Sequence, residues 1–257
     1  MIPENIPEKT RLLLLGGTTE ALALAEALAG DPRLEVISSL AGRTVAHRLP
    51  PGEVRVGGFG GAAGLAAYLK ERRIGMVVDA THPFAATISR HTALACRETG
   101  LPRLQLLRPA WTPEPGDRWH EVPDMNAAAA ALPALGRTIF LAVGRQELAA
   151  FADPPGLHRP PLRLIARMVE APGELPGFEI ILARGPFTLE NEEALFARAG
   201  IEAVVSKNSG GDATYAKIAA ARRLGLPVVM IARPPAESGD RAKSVEAAFA
   251  WISARLP

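Results

Sequence analysis

Four consecutive leucines, Leu12-Leu13-Leu14-Leu15, run without a break into Gly16-Gly17-Thr18-Thr19-Glu20 and then into the alanine-rich segment 21–29. An apolar run this short predicts a strand covered on both faces, which needs parallel neighbours and flanking helices. The glycines permit a tight turn and close approach of another molecule. The helix that follows offers unpaired N–H groups and a partial positive charge at its start, an arrangement suited to a phosphate. Gly16-Gly17-Thr18 is not the spaced G-x-G-x-x-G fingerprint. Taken alone it also fits a plain strand-to-helix turn.

The same rhythm continues along the chain. Strands are expected at 34–40, 54–56, 76–80 and 103–107, with helices at 20–29, 62–71 and 85–99 between them. Alternation of this kind predicts right-handed parallel βαβ units and a doubly wound sheet of about five strands. Residues 109–123 break the pattern with four prolines, Gly116 and two tryptophans, and read as a connection between domains. Helices then recur at 125–135, 148–151, 189–199, 214–224 and 243–255. Strands recur at 138–143, 162–167, 179–183, 203–206 and 228–232. The expected architecture is two α/β domains of similar size, residues 1–112 and 113–257, with mainly parallel sheets and a cleft between them. The closing helix is expected near the domain junction. No internal sequence repeat is read between the halves.

Composition narrows the function classes. A net charge of +2 over 257 residues argues against wholesale nucleic-acid binding. No apolar run reaches the ~18 residues of a membrane helix, so no membrane association is expected and the chain reads as cytoplasmic. The single cysteine, Cys96, excludes an internal disulfide and a cysteine-based metal site. It is read as a small buried hydrophobe rather than a nucleophile. No metal ligand set is expected. Oligomeric state is not readable; a monomer is compatible with the sequence.

In open parallel sheets ligands bind beyond the carboxyl ends of the strands, and there the chain's unusual residues gather. The first half places Gly16-Gly17-Thr18, Ser38-Ser39 with Arg43-Thr44, Gly57-Gly58-Phe59-Gly60-Gly61 and Asp79-Ala80-Thr81-His82-Pro83-Phe84 at strand ends. A site selecting NAD carries an acid after the second strand. Here Ser39, Arg43 and Thr44 stand there instead, a set that suits the 2′-phosphate of NADP and predicts NADPH as cofactor. The 57–61 turn would pass the adenosine half, and the 79–84 segment would line the nicotinamide side. His82 is either a proton donor or the cap of the following helix. The second half places Arg145, Arg184-Gly185 and Lys207-Asn208-Ser209-Gly210-Gly211 at strand ends, with Arg167 and Arg233 nearby. Cations in that pattern fit a polyanionic substrate, and the last segment reads as an anion-cradling turn. Tyr215 is a further proton-donor candidate or a core tyrosine.

Together the motifs Leu-Leu-Gly-Gly-Thr-Thr-Glu (14–20), Leu-Ala-Gly-Arg-Thr (40–44), Gly-Gly-Phe-Gly-Gly (57–61), Asp-Ala-Thr-His-Pro-Phe-Ala (79–85), Arg-Gly-Pro-Phe (184–187) and Ser-Lys-Asn-Ser-Gly-Gly (206–211) make the chain similar to the precorrin-6A reductase family (CobK/CbiJ) of cobalamin biosynthesis. The resemblance spans residues 11–233. It implies two Rossmann-like three-layer domains and NADPH-dependent reduction of one double bond of precorrin-6A, giving precorrin-6B. By that resemblance Gly16, Gly17 and Thr18 take the pyrophosphate, and Arg43 and Thr44 the 2′-phosphate. Gly58, Phe59 and Gly60 line the adenosine side, and Thr81, His82, Pro83 and Phe84 the nicotinamide. Arg145, Arg184, Lys207 and Asn208 face the carboxylate-bearing tetrapyrrole. The proton source stays open among His82, Lys207, Tyr215, water and a substrate carboxylic acid. Alternatives are the cobalt-containing substrate with NADH, another anionic substrate of an NADP-dependent reductase, or a nucleotide-sugar or phosphate-binding module without redox chemistry.

Overall fold

A computed structural model describes residues 9–42, 48–152, 162–169, 173 and 175–257. The chain divides into two compact units, Met1–Arg108 with Pro234–Pro257, and Pro109–Arg233.

Unit 1 is a six-stranded, wholly parallel sheet. Its strands are β1 (Thr10–Leu15), β2 (Leu34–Leu40), β3 (Glu53–Val56), β4 (Met76–Asp79), β5 (Arg103–Leu106) and a late arrival, β12 (Asp240–Ala242). The order β12-β5-β4-β1-β2-β3 is that of the doubly wound dinucleotide fold. The four leucines explain themselves here. Leu12 and Leu14 point to one face and Leu13 and Leu15 to the other, all at 2% exposure or less. The first face is covered by α1 (Thr19–Leu28) and α8 (Val245–Ser253), through Leu24, Leu28, Ala248 and Ile252. The second is covered by α2 (Gly61–Glu71) and α3 (Ala86–Thr99), through Leu65, Leu69, Ala95 and Cys96. Cys96 is buried, and burial pushes its thiol up to about 11.

Unit 2 repeats the plan. It contains β6 (Arg118–Val122), α4 (Met125–Ala131), β7 (Thr138–Ala142), α5 (Ala149–Ala152), β8 (Arg163–Met168), β9 (Phe178–Leu182), α6 (Leu189–Ala199), β10 (Ala203–Lys207), α7 (Ala216–Arg223) and β11 (Pro227–Ile231). The parallel sheet runs β6-β11-β10-β7-β8-β9. One face is closed by α6 and α7, with Phe140, Phe196, Val204 and Ile218 fully buried. On the other, α4 packs with α5 and against β11.

Two short edge strands escaped the sequence reading. β6 lies in the stretch read as a connection, and its mixed pattern Arg118-Trp119-His120-Glu121-Val122 carries no apolar alternation. β12 is three residues long, with only Ala242 buried. Their placement corrects the expected domain limits: 234–257 belong to unit 1, because β12 pairs with β5 and α8 completes the first core. Each sheet therefore takes its sixth strand from chain that follows the other unit's fifth. A repeat marks these points. Arg108-Pro109 follows β5 and Arg233-Pro234 follows β11; Gly116-Asp117-Arg118 leads into β6 and Gly239-Asp240-Arg241 into β12.

The role of the C-terminal segment is testable at Ile252, which is fully buried on α8. Ile252→Ala should destabilise unit 1 by about 2–5 kcal/mol in denaturant unfolding. A loss well below 1 kcal/mol would contradict its place in that core.

Candidate functional site

The carboxyl end of the unit 1 sheet is organised by one hydroxyl. Thr18 is the N-cap of α1; its Oγ1 accepts from the Ala21 amide at 3.1 Å and donates to the Ala80 carbonyl at 2.8 Å. The turn after β1 is thus tied to the end of β4. Gly16 N donates to Ser39 O, which ties it to β2 as well. Gly17 has φ +105°, a conformation that favours glycine, and a Cβ there would meet nothing within 4 Å. The same openness holds at Gly57, Gly58, Gly60 and Gly61. These turns are a cradle with room over its backbone, next to the helix N-terminus whose first amides lack intrahelical partners. The residues present fit a dinucleotide phosphate.

Asp79 is buried at 1% exposure and does not line a surface, contrary to expectation. Its Oδ1 accepts from the Thr81 amide and, at 2.6 Å, from the Thr81 hydroxyl; its Oδ2 has no partner. Asp79 therefore sets the course of 80–84. His82 Nδ1 accepts from Phe84 N at 3.2 Å, so the histidine staples the turn ahead of α3, and a neutral ring carries its proton on Nε2. Arg43 and Thr44 lie outside the described residues.

Sequence reasoning passed over Arg55, on β3. Its guanidinium lies 3.8 Å from the Phe59 ring centre and bonds Ser39 Oγ, Gly57 O and Gly58 O. This is what holds the glycine-rich 57–61 turn in place, with Phe59 against the Arg55 guanidinium and edge-on to Tyr68.

At the equivalent end of unit 2 the turn after β7 is filled. A Cβ at Gly144 would lie 2.4 Å from Glu147 Oε2, and Glu147 Oε1 accepts from Lys207 Nζ at 2.9 Å. A carboxylate of the chain itself sits where unit 1 leaves open space. Arg145 and Arg184 are exposed at the ends of β7 and β9. A Cβ on Gly185 would press on the Phe187 ring at 3.2 Å; that ring carries the Arg167 guanidinium at 3.6 Å. Arg167 forms a buried ion pair with Glu192.

The 207–211 turn is not the open anion cradle the sequence suggested. Asn208 clasps the Trp111 backbone, Oδ1 accepting from its N–H at 2.8 Å and Nδ2 donating to its carbonyl at 3.0 Å. The Asn208 and Ser209 amides donate to Ile231 O and Lys207 O, Ser209 Oγ bonds Lys207 O, and Gly210 packs on Pro109 O. Tyr215 donates to Glu114 at 2.6 Å and receives Arg222, which also pairs with Asp117. Burial, with Glu114 beside it, raises the Tyr215 phenol above its ordinary value. The expected connection 109–123 is bound into unit 2 by these contacts. Trp111 was the signal available, a large aromatic in an aromatic-poor chain.

Lys217 was also missed. It is buried on α7, its Nζ bonds Thr214 O at 2.6 Å and lies 4.8 Å from the Trp111 ring centre. It heads the helical stripe of Ala220 and Ala221, which marks the position as buried. Among the described residues no group of three metal-ligating side chains occurs and no helix is long and apolar enough to cross a membrane.

Two doubly wound units, one presenting an open glycine turn, are the build of a Rossmann-type oxidoreductase. The family model of precorrin-6x reductases (CbiJ/CobK) matches residues 11–253. A precorrin-6A reductase of Rhodococcus erythropolis is 48% identical over 95% of this chain and 97% of its own length. A cobalt-precorrin-6A reductase of Priestia megaterium is 32% identical over 89% and 92%. A solved structure of CobK precorrin-6A reductase superposes with a TM-score of 0.86 at 43% identity, covering 95% of this chain and 96% of that one. The chain belongs to the precorrin-6x reductase family, oxidoreductases acting on a CH–CH bond with a nicotinamide cofactor.

Lys217 gives the unit 2 cluster a titration signature. Burial, with Arg167 and Lys207 opposing the charge and Glu192 favouring it, lowers its ammonium from 10.5 to about 7. Between those values the unfolded chain holds a proton that the folded one lacks, so stability rises with pH from 7 upward. Below 7 both forms are protonated and the burial penalty is complete. Cys96, raised from 9.0 to about 11, gives the opposite slope above 9. Lys217→Met should therefore stabilise the protein at pH 7 and flatten its stability profile between pH 7 and 9. An unchanged slope would contradict this.

Proposed function

We propose that this chain reduces precorrin-6A to precorrin-6B in cobalamin biosynthesis, using NADPH seated on unit 1. One observation carries the placement: the turn after β1 is open at Gly17 while its counterpart at Gly144 is filled by Glu147. Metal-free substrate is favoured by the relatives, since precorrin-6A reductases match at 46–50% identity and cobalt-precorrin-6A reductases at 28–32%.

The bound dihydronicotinamide supplies the hydride, and the protein contributes orientation, charge and water exclusion. Gly16, Gly17 and Thr18 seat the pyrophosphate. Gly58, Phe59 and Gly60 flank the adenosine, Arg43 and Thr44 answer the 2′-phosphate, and Thr81 to Phe84 border the nicotinamide. Arg145, Arg184 and Lys207 take substrate carboxylates. Asn208, Ser209 and Gly210 serve by shaping the turn that presents Lys207. His82 is the proton donor: protonation at Nδ1, which opens its bond to Phe84 N, gives the imidazolium, and transfer of the Nε2 proton to the substrate carbon returns a neutral ring. Tyr215 donates to Glu114 and Lys207 to Glu147 within unit 2, whereas His82 belongs to the segment of unit 1 that borders the nicotinamide.

Fluorescence titration with NADPH and NADH, followed by turnover of metal-free precorrin-6A, tests the reading. Tighter NADPH binding that is lost in Arg43→Ala supports it; equal affinity for both cofactors removes the role given to Arg43. His82→Ala should lower kcat by about 10²-fold or more with NADPH affinity intact, the scale of a lost general acid. Near-normal turnover would remove His82 from the mechanism.

A further inference from the structure

Arg55 is a half-buried cation with no carboxylate partner among the described residues. It is the register partner of Ser39 across the β2–β3 pairing, at the carboxyl end of β2. In this fold that end is where the ribose 2′-position of a bound dinucleotide is read. Nη1 is engaged by Ser39 Oγ at 3.1 Å and Gly57 O at 2.8 Å, and one Nη2 hydrogen by Gly58 O at 2.9 Å. The plane rests on Phe59. No acceptor among the described residues meets Nε. The Nε–Nη2 edge is the one that Arg33 offers to Asp31, and Arg163 to Glu179, in bidentate pairs elsewhere in the molecule. A fork held rigid by three neutral oxygens and an aromatic ring, with no carboxylate partner among the described residues, is prepared for a dianion.

We propose that Arg55 is a specificity-determining residue that binds the 2′-phosphate of NADPH through this edge. The inference rests on the placement of NADPH on unit 1. Its Ser39 contact explains why a hydroxyl residue serves at the end of β2. An acid there would both neutralise the guanidinium and repel the phosphate.

Calorimetric titration of the whole protein with 2′,5′-ADP and 5′-ADP isolates the adenosine end from catalysis. The native protein should bind 2′,5′-ADP at least tenfold more tightly. Arg55→Gln should lower that preference, read as the ratio of the two affinities, at least threefold, whatever affinity for both probes is lost with the bracing of the 57–61 turn. Retention of the preference in Arg55→Gln overturns the assignment of Arg55. A native protein that binds both probes equally overturns the NADPH reading itself, which separates the two failures. Because Arg55 also braces the 57–61 turn, Ser39→Asp provides the second arm if Arg55→Gln does not fold. It should cut the preference for 2′,5′-ADP at least tenfold, and an unchanged preference overturns the proposal.

Discussion

The Thr18 hydroxyl is the interaction on which the unit 1 site depends. By accepting from Ala21 N and donating to Ala80 O, it caps α1 and fixes the turn after β1 to the end of β4. The segments assigned to the pyrophosphate and to the nicotinamide are thereby held by a single atom. Asp79 continues the arrangement through Thr81, and His82 through Phe84, so the chain from 79 to 85 is shaped by its own side chains before any ligand binds. Preorganisation of this kind lowers the ordering cost of binding.

The two units show what a shared fold leaves undecided. Both carry the same strand order with the sixth position filled from across the chain, and both reach the functional end of the sheet through a glycine turn. In unit 1 Glu20, at the start of α1, pairs with Arg108 and leaves the turn open. In unit 2 the corresponding Glu147 lies over Gly144 and holds Lys207. One carboxylate's position separates a turn able to receive an anion from one that already holds its own. The Trp111–Asn208 clasp and the Arg222 ion pairs then make the crossing segment part of unit 2.

Much of this was legible in the sequence because the core strands are buried on both faces and read as continuous apolar runs. Leu12–Leu15 and Pro227–Ile231 leave no alternative to a parallel sheet with helices on each side. β6 and β12 were not legible, since an edge strand needs no apolar face and Asp240-Arg241-Ala242 is too short to show a period. Glycine turns could be located, but not whether they were open. That depends on Glu147 and on Phe59, residues whose types fit many surroundings. Asn208 acts through the distant Trp111, Lys217 lies against the same ring, and Arg55 reaches Ser39 on the neighbouring strand, meetings that spacing along the chain does not encode.

The central claim is that NADPH occupies unit 1 alone, and hydrogen–deuterium exchange with and without NADPH tests it most directly. Protection is expected in 16–21, 57–61 and 79–85, with exchange at 143–148 unchanged. Protection at 143–148 in place of 16–21 would contradict the account.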